Sequence, residues 1–183
     1  NGDFKTDVVD TLMGGFATGN LQHNFNGLTY GIDNWIYVAN GGNSGKPYWW
    51  GDTTTMINLR GQDLRFNLDT RVMERIGRSS GGFGLGMDEW GHLFETHNLE
   101  HVSHLVFPGR YQQGLTLLQS HSLSNISDHD EDGLARIYPI GEQESRVNHP
   151  EQSGDFSGSC GITWYGSGAF GKEYEKTVWV AEE

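Results

Sequence analysis

An internal repeat restricts the fold of this 183-residue chain more than any other feature. Gly27-Leu28-Thr29-Tyr30-Gly31-Ile32-Asp33-Asn34-Trp35 is echoed, 55 residues on, by Gly82-Phe83-Gly84-Leu85-Gly86-Met87-Asp88-Glu89-Trp90. Both copies then enter an apolar run, Ile36-Tyr37-Val38-Ala39-Asn40 and, after one extra residue, His92-Leu93-Phe94-Glu95-Thr96. A strand, a turn whose Asp and Asn can bond their own backbone, and a second strand make a hairpin. A weaker third copy starts at Gly161-Ile162-Thr163-Trp164-Tyr165. Hairpins recurring every 40 to 55 residues or so mark the blades of a β-propeller, each sheet burying its faces against its neighbours. Two coincidental turns within a β-sandwich are the alternative.

The rest of the sequence is equally β-like. The i, i+3, i+4, i+7 apolar pattern rarely survives three turns without a Gly, and 27 of the residues are Gly. Strands are expected at 28–39, 56–59, 63–67, 72–76, 92–96, 104–107, 135–140, 161–165 and 177–181, between Gly, Asn and Asp clusters. The fold class is therefore all-β.

Charge and cysteine content remove several functions. A net charge of −12 opposes a nucleic-acid groove, which needs clustered Lys and Arg. With one cysteine, Cys160, the chain has no internal disulfide, no Cys-based zinc site and no C-x-x-C-H attachment for a c-type haem. No window approaches the 18 or so apolar residues of a membrane helix.

The segment from His23 to Gly42 resembles a signature of the glucose/sorbosone dehydrogenase family. There a His precedes an apolar strand, a Gly-Pro-Asp-Gly-like turn, a second strand and a small-residue loop. Ser159 to Tyr165, with Phe170, Tyr174 and Trp179 to Glu182, looks like a later blade of the same superfamily. Asp132-Gly133-Leu134-Ala135-Arg136-Ile137-Tyr138-Pro139-Ile140 is similar to a run in large propeller proteins described as membrane-bound dehydrogenases of planctomycetes and their relatives.

The resemblance implies a propeller of the six-bladed soluble quinoprotein glucose dehydrogenase type, periplasmic or extracellular, often joined to cytochrome c domains or a membrane complex. It implies oxidation of a sugar or alcohol with pyrroloquinoline quinone (PQQ) and calcium, His23 being the general base. Gln22, Asn24, Asn40, His97 and Asn98 stand at the cofactor-binding positions, and the backbone of Asn98 and Leu99 at the calcium loop. The family carries an acidic residue before the base; Gln22 supplies no charge there. The rival expectation is a propeller without chemistry, serving as a binding or structural subunit of a larger complex.

Other residues raise further expectations. Asp128, Asp130 and Asp132, with Gly133, match the start of a calcium loop, but Pro139 stands where an EF-hand needs a bidentate Glu. His97, His101 and His104 face one way only on a helix, and a loop leading into a strand scatters them. Trp49-Trp50 reads either as a stacking surface for a sugar or partner, or as cover for a blade edge. The repeat divides the chain into blade material at about 1–55, 56–110 and 111–183. Three blades are fewer than the four to eight that close a ring. The ends at Asn1 and Glu183 are then expected to abut further propeller material, in the same protein or in a partner chain.

Overall fold

The computed structural model describes residues 2–20, 23–111, 115, 122–138, 140–142 and 150–182. It is all-β, with two four-stranded antiparallel sheets and two hairpin-sized ones. In the first large sheet, β2 (Asn26–Tyr30), β3 (Ile36–Ala39), β5 (Gln62–Phe66) and β6 (Met73–Arg78) lie in chain order. In the second, β7 (Leu85–Met87), β8 (Leu93–Glu95), β9 (Ser103–Leu105) and β10 (Leu123–Asn125) do the same. β11 (Cys160–Tyr165) pairs with β12 (Thr177–Ala181), and the short β1 (Met13–Gly14) with β4 (Tyr48–Trp49). The first large sheet thus takes strands from both sides of residue 55.

Strand alternation sets the two cores. Tyr37, Ala39 and Ile76 face Leu85, Leu93 and Leu105 across the two large sheets. On the first sheet's other face Val38, Leu64, Phe66 and Met73 pack with Trp49 and Leu59, and Met13, Phe16 and Phe25 cover them. Of the Trp49-Trp50 pair, read as a stacking surface or as cover for a blade edge, Trp49 is 1% exposed, and its indole N–H donates to Arg71 O at 2.5 Å. Only Trp50 faces outward.

Two expected strands do not form. Residues 56–59 run beside residues 45–47, with Ile57 N–H donating to Pro47 O and Leu59 N–H to Gly45 O. Pro47 has no N–H to return, so a regular ladder cannot develop. Residues 135–138 make only isolated bridges, Ala135 with His129 and Arg136 with Asp155.

The repeat is real, but its register is 57 residues rather than 55. Tyr30↔Ile36 in the first hairpin corresponds to Met87↔Leu93 in the second, each pair closing a five-residue turn. Gly27 therefore matches Gly84, not Gly82. The shared Asp misled the comparison, since it opens the second turn and sits third in the first. Asp33 Oδ1 accepts from Trp35 N–H at 3.3 Å, whereas Asp88 Oδ1 accepts from Trp90 N–H at 2.9 Å and His92 N–H at 2.8 Å. The fourth turn position is left-handed in both, Asn34 at φ 64° and Gly91 at φ 84°.

In this register Gly27-Leu28-Thr29, Gly84-Leu85-Gly86 and Gly161-Ile162-Thr163 are equivalent, and β2 and β11 shift register at the same place. All three leading glycines have positive φ, 64°, 107° and 64°. The first strands touch through their backbones. Thr29 Oγ1 donates to Leu85 O at 2.7 Å, Gly84 N–H to Asn26 Oδ1 at 2.7 Å, and Gly161 N–H to Phe83 O at 3.0 Å. A Cβ on Gly27 would lie 2.6 Å from Leu85 N. β2, β7 and β11 line an open cleft of about 410 Å³.

Candidate functional site

β2, β7 and β11 all start at one end of the cleft, and the loops that gather there carry His23. Its ring packs 5.0 Å from Phe83, and Nδ1 lies 2.5 Å from Gly81 O. A carbonyl only accepts, so Nδ1 carries a proton and donates it to Gly81 O. No described residue is bonded to Nε2. The Asn43 amide donates to His23 O, fixing the backbone. Gly41, at φ 60°, lets the chain pass: a Cβ there would stand 2.5 Å from His23 O.

His97 follows β8 as Asn40 follows β3. Burial lowers the His97 pKa, Glu100 raises it and nearby His23 lowers it again, so His97 is neutral at pH 7. The two imidazoles belong to one site. Asn24 lies beside His23, and its carbonyl accepts the Asn26 amide at 2.7 Å. Gln22 lies outside the described residues. His101 and His104 go elsewhere, stacking on Phe156 at 4.3 Å and Phe94 at 5.2 Å.

The remaining cofactor positions make hydrogen bonds within the protein. Asn40 is 2% exposed, and its amide donates to the carbonyls of Asn43 and Gln62. The Asn98 carbonyl accepts Ser159 N–H at 3.3 Å and that of Leu99 accepts Ala135 N–H at 3.2 Å. In the acidic turn Asp130 is held bidentately by Arg136 at 2.7 and 2.9 Å. Asp128 accepts the Tyr138 hydroxyl at 3.2 Å, and Asp132 accepts Leu134 N–H at 3.0 Å. Among the described residues no three His, Cys, Asp or Glu side chains gather as metal ligands.

A polar layer that the sequence reading missed lies beneath His23. Asp63 of β5 and Glu95 of β8 are both enclosed at 0% exposure, beside Ser79 and Ser103. The signal was phase: Glu95 stands two residues from buried Leu93 and so shares its inward face.

Comparison with known proteins adds one finding. The sequence model of the domain of unknown function DUF7133 matches residues 1–183, and the chain belongs to that family. No curated protein and no solved structure matches it.

Proposed function

We propose that this member of the DUF7133 family is a section of a β-propeller acting outside the cytoplasm, and that its His23 end binds a hydroxyl-bearing small molecule of the sugar or alcohol class. Two successive four-stranded meanders and a further hairpin, with their first strands side by side around a cleft, support the propeller reading. The observation that carries the site is the bond from His23 to Gly81 O, which occupies Nδ1 and leaves Nε2 as the ring nitrogen for a ligand hydroxyl.

A base at this position suits a sugar or alcohol dehydrogenase, because removing a hydroxyl proton accompanies loss of hydride from the carbon. The hydride needs an acceptor, and Asn40, Asn98 and Leu99 are already engaged within the protein. That engagement favours the second reading, a propeller that binds its ligand or a partner as a subunit of a larger complex without oxidising anything.

One pair of measurements separates these readings. Titration calorimetry with aldoses and polyols is expected to show binding that His23→Ala weakens about tenfold, the loss of one good hydrogen bond. Dye reduction with added PQQ and calcium, abolished in His23→Ala, would establish the dehydrogenase. Binding without turnover supports the subunit, and no binding by any polyol removes the dehydrogenase and every small-molecule role for His23.

A further inference from the structure

The buried carboxyl pair between the two large sheets is used by nothing in the proposed site, yet it ties together the loops that build it. Asp63 Oδ1 accepts Asn40 N–H at 2.6 Å, and the Ser79 hydroxyl lies near the same carboxyl group. Glu95 Oε2 accepts Ser80 N–H at 2.7 Å. Asp63 Oδ2 and Glu95 Oε1, the remaining oxygens, are buried with no donor, and the two carboxyl groups are close enough to interact.

No cation compensates them among the described residues. On β5, Arg65 is spent on Asp33 and Glu74. On β6, Glu74 holds Arg65, Arg75 reaches Asn58 O and Arg78 is exposed. β3, β7 and β10 carry no charged group against the pair beyond Tyr37, which bonds Asp33. His104 of β9 stacks on Phe94, and His97, past the end of β8, faces His23. Two enclosed carboxylates this close cannot both ionise.

We propose that Asp63 and Glu95 share one proton, and that this hydrogen bond is a pH-sensitive latch closing the two large sheets beneath His23. A single proton satisfies both bare oxygens, and the remaining charge is met by Asn40 N–H, Ser80 N–H and the Ser79 hydroxyl. The latch draws in the 40–43 loop, whose Asn43 bonds His23 O, and the 79–82 loop, whose Gly81 O receives His23 Nδ1. Ser79 Oγ joins these loops, accepting from Gly42 N–H at 3.2 Å and Gly81 N–H at 3.1 Å. Losing the proton sets two carboxylates against each other and parts the loops that hold His23. The consequence for ligand binding rests on the proposed role of His23; the latch itself does not.

Burial first, and then the Glu95 charge, hold the Asp63 pKa well above that of an ordinary carboxyl. The folded chain thus keeps a proton that the unfolded chain releases near pH 4. The pair's contribution to stability is full below that pH and is lost as pH rises through the folded value.

The test is thermal unfolding from pH 5 to 9 of the wild type, Asp63→Asn and Glu95→Gln, without ligand, in chelator and again in calcium. An amide carries its own N–H and needs no shared proton. The wild-type Tm should fall as pH rises, and the variants should gain on it steadily. Amide exchange at Asn40 and Ser80 should quicken with pH more in the wild type than in Glu95→Gln. Parallel Tm curves overturn the latch, as does a calcium-dependent rise in wild-type Tm that the variants lack, since a cation would then fill the pair. Should both variants fail to fold, the wild-type infrared spectrum at pH 7 decides, by the presence or absence of a protonated carboxyl band. Because no sugar or quinone enters these measurements, their outcome is separate from that of the binding experiment.

Discussion

A single methyl group is enough to separate two of these strands. A Cβ on Gly27 would press on Leu85 N at 2.6 Å and would also have to accept φ 64°. Gly27→Ala should therefore cost about 3 kcal/mol, summing left-handed strain and overpacking. Gly133, at φ 84° with nothing within 4 Å, carries the strain alone, so Gly133→Ala should cost about 1 kcal/mol. Chemical denaturation of the two variants checks the difference. His101 makes a second point at this scale. Its Nδ1 is buried without a partner among the described residues, its ring stacks on Phe156, and burial lowers its pKa. A lowered imidazole pKa means stability present above about pH 6.5 and lost as pH falls through the folded value. His101→Phe keeps the stack and should flatten that acid-side loss in a pH series of melting curves.

Among the elements, the first large sheet is held from both faces, and its side chains divide accordingly. Trp49→Ala should cost about 3 to 5 kcal/mol, because the indole fills the core in a T-shaped contact with Phe66. Its exposed neighbour Trp50, at 59%, should cost less than about 0.5 kcal/mol. Urea titrations read both. Arg65 fastens the opposite face of the sheet, bonding Asp33 at 3.1 Å and Glu74 at 2.6 Å with its guanidinium 4.1 Å from the Trp35 ring centroid. Arg65→Ala should cost about 2 kcal/mol, less than a fully buried pair because both carboxylates stay about 40% exposed. From the sequence, the alternation of Leu64 and Phe66 with Asp63 and Arg65 reads as one buried and one wet face. The second sheet covers the wet face, which is why the Asp63 and Glu95 pair stayed hidden.

For the whole molecule, sheets stack with their first strands adjacent, and each buries its faces against the next. β12 interrupts that order. Among the described residues no strand pairs with its outer edge, and Trp179, 46% exposed, sits with Tyr165, Phe170 and Tyr174 in an aromatic group. Bare edges beside apolar side chains invite pairing. Sedimentation velocity should show association growing with concentration, and Trp179→Lys should reduce it.

The sequence alone determined the all-β class, the hairpins and the recurrence of a glycine-led first strand, because turn chemistry and period-two alternation are local. It also singled out His23, through residues that are neighbours in the chain. Only the tertiary structure decided the 57-residue register, the burial of Trp49 and the meeting of Asp63 with Glu95. Each depends on which backbone lies against which, and side chains 32 positions apart along the chain become partners only when two sheets close over them.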